Sequence, residues 1–200
     1  GLLVAGHLPV RVPLGMAIAA GQHSVEHPRI FLFECYRGAA GFRALPDPMA
    51  AYTADMRLRF IDEHAPVRCA ELMAAMAASY TWWTPTLQVL RMSALAGNRQ
   101  FREDPRRRYI PYILWAGLWQ PDADRAVAHA RHASGRDVDA ELYRLAMDNV
   151  RQAHAAGVRI VAGTDAGDTY VFPGFAIHDE LAELVRAGLA PTDALRSATI

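Results

Sequence analysis

The chain has 200 residues, 52% hydrophobic and 21% charged, and its 21 basic and 21 acidic residues cancel to a net charge of zero. That balance argues against partners recognised by bulk charge, whether nucleic acid or an anionic membrane surface. No apolar run reaches the ~18 residues a membrane helix needs, so the expected partner is a small-molecule substrate and the expected setting the cytoplasm.

All 21 basic residues are arginine, so no lysine is present to serve as a nucleophile or a metal bridge. The two cysteines, Cys35 and Cys69, lie far apart and form no CxxC pair. They read as thiols in a reducing compartment rather than as a disulfide framework. The chain does not begin with Met. Gly1–Gly6 reads as a strand already under way and Ala194–Ile200 as a helix stopped in mid-course, so residues 1–200 are expected to be one domain truncated at both ends.

In chain order, Leu2–Gly6 is a short apolar run, the pattern of a strand buried on both faces. Pro13 fits the first turn of a helix through Ala20, closed by Gly21. His23–His27 is the next strand. Residues 28–67 carry an apolar Phe31-Leu-Phe33, a turn or linker at Leu45–Pro48 and a helical pattern over Met49–His64. Val67–Ser79 predicts a helix, and the aromatic, β-rich Tyr80–Leu87 a third strand ending near Pro85. Residues 90–140 form a long insertion holding Arg106–Arg108, a charge run for solvent. Glu141–Ala156 predicts a helix with Leu142, Leu145, Ala146, Asn149, Val150 and Ala153 on one face and Gly157 as its cap. Val158–Gly163 is a fourth strand, Ile177–Ala187 a further helix, and Pro191 starts the last one.

Strands alternating with helices imply parallel pairing through right-handed crossovers. A doubly wound sheet and a (β/α)₈ barrel both fit that order. The phosphate-cradling GxGxxG and GxxxxGK[ST] loops that would favour the sheet are missing, as is a GxSxG elbow.

Three of the four strands end in a residue able to hold a divalent metal: His7, His27 and Asp165. Alternation puts Leu3, Ala5 and His7 on one face, and Val161, Gly163 and Asp165 on one face. Two imidazoles and a carboxylate are a ligand set that Zn²⁺ accepts in catalytic sites. A metal lowers the pKa of its bound water toward ~7, and a neighbouring carboxylate can carry the proton to a leaving group. A strand-end histidine taken alone is more often a surface or capping residue, and Asp165 alone could be a turn residue. The combination carries the reading. Tyr80, Trp82, Trp83, Trp115 and Trp119 are expected to pack rather than line a pocket.

The segments Ala5-Gly-His7, Gly21-Gln-His-Ser-Val-Glu-His27, Trp83-Thr-Pro-Thr-Leu87 and Ala162-Gly-Thr-Asp-Ala-Gly167 occur in this order. Together they resemble the second half of the amidohydrolase superfamily, in its imidazolonepropionase-like and Xaa-Pro-dipeptidase-like branch. Pro173–Leu181 and Ala187–Thr199 resemble the segment after that family's last barrel strand. The resemblance implies a partial (β/α)₈ barrel, strands five to eight, that hydrolyses amide, cyclic amide and related C–N bonds with metal-activated water. It implies that His7, His27 and Asp165 bind the metal, with Asp165 also the proton shuttle. Glu26 would be a residue supporting a ligand or a plain structural contact, and His178 a substrate contact or a helix-start residue. His23 matches no ligand, and His64, His129, His132 and His154 are expected in solvent. The family's first-strand His-x-His pair has no counterpart in these residues, and a chain without lysine cannot supply its carboxylated lysine bridge. The alternative is a non-catalytic half-barrel that binds a metal or another chain; exposed sheet edges would make a homo-oligomer.

Overall fold

The small and apolar residues of the predicted strands do pair, over shorter lengths than their patterns suggest. In the computed structural model, which describes residues 2–199, β1 (Ala5–Gly6), β2 (Ser24–Glu26) and β3 (Trp82–Thr84) form one parallel sheet in the order β1-β2-β3. Ala5 lies opposite Ser24 and Val25 opposite Trp83. Val25 and Trp83 are wholly buried, as befits parallel strands covered by helices. Leu2, Leu3 and Val4 are exposed, so the run into β1 is not the strand buried on both faces that its pattern predicts.

The predicted fourth strand is reduced to a bridge between Trp83 and Ile160. Trp83 N–H donates to Arg159 O and Val161 N–H to Trp83 O, both at 2.9 Å. Gly163 permits this approach: a Cβ there would stand 2.3 Å from Thr84 Cγ2.

Helices supply the rest. α1 (Leu14–Ala19) returns the chain from β1 to β2. α2 (Arg29–Glu34), α3 (Ala39–Arg43), α4 (Ala54–Asp62) and α5 (Pro66–Ala77) fill the passage from β2 to β3. α6 (Leu87–Leu95) leaves β3, and α7 (Arg99–Arg102), α8 (Tyr112–Leu114) and α9 (Gln120–Ala130) occupy the insertion, with a π-helical stretch, Trp115–Trp119, joining the last two. α10 (Val138–Ala155) is the longest, followed by α11 (Ala176–Arg186) and α12 (Pro191–Arg196).

α10 forms as its pattern predicts. Asp137 accepts from Ala140 N–H at 3.0 Å as its N-cap, and Gly157 follows it at φ +87°, the left-handed geometry that suits glycine. Its buried stripe of Leu142, Ala146, Val150 and Ala153 joins Phe31, Phe60, Met73, Met76 and Trp83 in the main core. Arg57 and Asp139 form a buried ion pair that ties α4 to α10. A smaller core gathers Met92, Trp119, Tyr170 and Phe172. Trp83 and Trp119 pack as expected.

This architecture corrects the expectation of a partial (β/α)₈ barrel. The structure is 56% helical around one small three-stranded parallel sheet. Closing a barrel takes tilted strands staggered around a full circle, and strands of two or three residues make no such wall. Strand–helix alternation predicts parallel pairing, which is found, but it says nothing of how many strands pair.

The cysteines are corrected too: Cys35 and Cys69 are joined by a disulfide, with their Cα atoms 4.8 Å apart. Their 34-residue separation spans α3 and α4, and that excursion brings α5 back onto the end of α2. Among the described residues no helix is long and apolar enough to cross a membrane.

Candidate active site

Parallel strands present their C-terminal ends on one side, where α/β proteins collect chemistry. His7 directly follows β1 and His27 directly follows β2, and the adjacent strands bring the two imidazoles together. Their ring centroids are 4.4 Å apart and their Nε2 atoms 2.6 Å apart. Asp165, beyond the bridged segment, lines the same cavity of about 330 Å³, with Glu26, Arg29 and Asp168. Leu8, Phe33, Met49 and Val89 give it an apolar side. This size and mixture suit a small molecule.

The other nitrogen of His27 fixes its orientation. Thr86 Oγ1 donates to Pro85 O at 2.8 Å, so at 2.9 Å from His27 Nδ1 it accepts the imidazole proton. That assignment, made from the hydrogen-bond network, leaves the His27 Nε2 lone pair facing the cavity and His7. Such a partner on the far nitrogen is what a metal-binding histidine has. Burial, and then the adjacent His7 ring, hold the His27 imidazole below its ordinary pKa, while Asp165 pulls it upward. A neutral imidazole is the form that binds a metal.

Backbone strain gathers at the same place. Among the described residues four non-glycine residues have positive φ: His27 (75°), Thr86 (47°), Asp165 (56°) and Tyr170 (58°). Three of the four belong to this cluster. Such conformations persist only where the surroundings enforce them, and they concentrate at functional sites. For His27 the enforcing contacts are visible: its N–H donates to Thr84 O at 2.9 Å, and the buried Trp83 indole donates Nε1–H to its carbonyl at 3.0 Å.

The donor set therefore fits a divalent metal in chemistry and in convergence of the two imidazoles. Asp165 shares their cavity but does not close on the histidines into a three-donor cluster. Glu26 lines the cavity and accepts from Ser24 Oγ at 2.9 Å. His178 is exposed on the first turn of α11 and does not line the cavity. His23 accepts Val4 N–H at 3.1 Å, a packing role. His132 bonds Asp55 at 2.7 Å.

Sequence reasoning missed Thr86, for which the only signal is its place after Pro85 at a strand end. It also missed Glu180, whose buried carboxyl group accepts Leu87 N–H at 2.9 Å and Gln88 N–H at 3.1 Å, so holding the start of α6 beside Thr86. Nor did it anticipate that His64 stands beside the cysteine pair.

No family model matches this chain, and no curated protein matches it. A solved structure titled "AH, Bottromycin amidohydrolase" is similar to it, with a TM-score of 0.67 and 26% identity over 99% of this chain and 39% of that one. The chain thus spans about two-fifths of the length of that protein.

Proposed function

We propose that this chain carries part of the active site of a metal-dependent hydrolase that cleaves an amide or related C–N bond. The observation that carries the reading is the meeting of His7 and His27 at adjacent strand ends, Nε2 to Nε2, in a cavity shared with Asp165. The motif resemblance to the amidohydrolase superfamily and the likeness to the bottromycin amidohydrolase support it.

His7 and His27 would hold the metal, with Asp165 as a further ligand; Zn²⁺ is the ion this set suits best. When bound, the ion lowers the pKa of a water molecule and polarises a carbonyl. The residues do the remaining work. Thr86 keeps His27 in the tautomer whose Nε2 is free. The Asp165 carboxylate takes a proton from the attacking water and returns it to the departing nitrogen. The apolar side of the cavity, from Leu8 to Val89, excludes bulk water from the substrate.

The test compares bound metal and hydrolysis of a dipeptide and acyl-amide panel in the wild-type protein, His27→Ala and Asp165→Asn. Loss of metal in the first and of hydrolysis in both is expected. Metal and hydrolysis that survive both changes would overturn the reading.

A further inference from the structure

A second cluster of metal-type groups lies outside the cavity. Cys35, His64 and Cys69 bring three donor atoms within 4.8 Å of one another, and none of the three lines the cavity around His7 and His27. Cys35 caps the C-terminal end of α2, His64 precedes α5, and Cys69 lies one turn into α5. A Tyr36–His64 bridge and a 2.7 Å bond from Ala65 N–H to Cys35 O lock the first two together. From α10, Asn149 Oδ1 reaches to 3.7 Å from Cys69 Sγ. Both cysteines and Asn149 are 0% exposed.

The disulfide leaves this polar cluster short of partners. A disulfide sulfur carries no proton, so in that state the Cys69–Asn149 contact is not a hydrogen bond. His64 Nε2 and Asn149 Nδ2 are both buried and make no well-formed hydrogen bond, although the Asn149 side chain lies close enough to the imidazole to pull its pKa upward against burial. Buried polar groups are nearly always satisfied, and an orphan calls for an explanation. Here both groups stand beside the cysteine pair: a His64 ring nitrogen lies within 4.8 Å of the two sulfurs, and Asn149 approaches Cys69 Sγ through Oδ1.

We propose that in its dithiol state the protein binds a soft divalent cation, Zn²⁺ by its donor set, through Cys35 Sγ, Cys69 Sγ and His64 Nε2. Two thiolates and one imidazole are a recognised zinc set. The Asn149 amide, turned so that Nδ2 replaces Oδ1 beside Cys69, then donates Nδ2–H to a thiolate sulfur, as groups around metal-bound thiolates do. Both orphans acquire partners. A dithiol reductant supplies two electrons and two protons to the Cys35–Cys69 bond and leaves as its own disulfide. The cation then displaces both thiol protons. Since α2 begins two residues after His27, either cross-link braces the helix that leaves the active site, one covalently and the other through the ion.

The test reduces the folded protein with a phosphine, counts its thiols, and adds Co²⁺ as a spectroscopic probe and Zn²⁺ for stoichiometry. The expected result is two thiols, a thiolate-to-Co²⁺ charge-transfer absorption, and one Zn²⁺ that persists in a His7→Ala/His27→Ala variant. Cys69→Ser should abolish the absorption, and the partly exposed His64→Ala should weaken Zn²⁺ binding at least tenfold while both thiols remain. Cysteines that stay oxidised in the folded protein, or a reduced wild type without the charge-transfer band, would overturn the proposal. So would Zn²⁺ binding unchanged by His64→Ala. The wild-type measurement decides even where Cys69→Ser fails to fold.

Discussion

Glu180 is 0% exposed, yet it carries the first two N–H groups of α6. Thr86, at the N-cap, offers no side-chain cap, because its hydroxyl is committed to Pro85 O and His27 Nδ1. Glu180→Ala therefore strands two buried backbone donors. At about 1–3 kcal/mol each, the cost is about 2–6 kcal/mol. Burial pushes the Glu180 carboxyl up to about 8, against the pull of its two backbone donors. The unfolded carboxyl titrates near 4.5, so between 4.5 and 8 the native chain keeps a proton that the unfolded chain has lost. This contribution is therefore whole below about 4.5 and is lost as pH rises to about 8, at up to about 1.4 kcal/mol per pH unit. The Ala variant lacks that slope, so the gap between wild type and variant is widest near pH 5 and narrows toward pH 8. Urea denaturation at five pH values reads both quantities. A gap under about 1 kcal/mol at pH 5 contradicts the cost assigned to each stranded donor. A gap that widens with pH would mean that the ionised carboxylate is the stabilising form.

Thr86→Val removes the acceptor for His27 Nδ1–H at nearly constant volume. Metal affinity by competitive chelation should fall about 10–100-fold, and Thr86→Ser should restore it. Gly163→Ala forces a methyl to within 2.3 Å of Thr84 Cγ2, an overpacking of about 1–3 kcal/mol by urea midpoint. Thr84→Ser, which deletes that methyl, should recover most of the loss when combined with it; additive losses would contradict the steric account. Trp83→Phe keeps ring packing on Phe31 but leaves the His27 carbonyl without its indole donor. It should cost about 1–3 kcal/mol in thermal unfolding and weaken metal binding with it.

The parts of the site set by local chemistry were legible in the sequence. His7 and His27 stand out because each ends a predicted strand, and a parallel pair of strands brings such ends together. α10 and α11 were legible from their 3.6-residue stripes and the glycines just past their ends. The barrel was not there to be read. Alternation of strand and helix patterns is shared by every parallel architecture, and runs such as Val158–Gly163 are too short to reveal that only one bridge will form. Within residues 28–67, α4 falls inside the helical pattern of Met49–His64, whereas α2 and α3 form under tertiary contact, where Phe31 and Phe42 pack with Phe60, and their local patterns are weak. The longest-range relations left no local trace. Glu180 caps a helix that starts 93 residues earlier. Asn149 shares the core face of α10 with apolar neighbours, and that company disguises its contact with Cys69 as packing.

The central claim is that His7 and His27 converge to hold a divalent metal. Equilibrium dialysis against Zn²⁺, followed by elemental analysis, tests it directly on protein kept oxidised so that Cys35 and Cys69 stay bridged. The account predicts one bound ion in the wild type, and binding at least a hundredfold weaker in His7→Ala and in His27→Ala. An oxidised wild type that binds no metal, or variants that bind as tightly as it does, would contradict it.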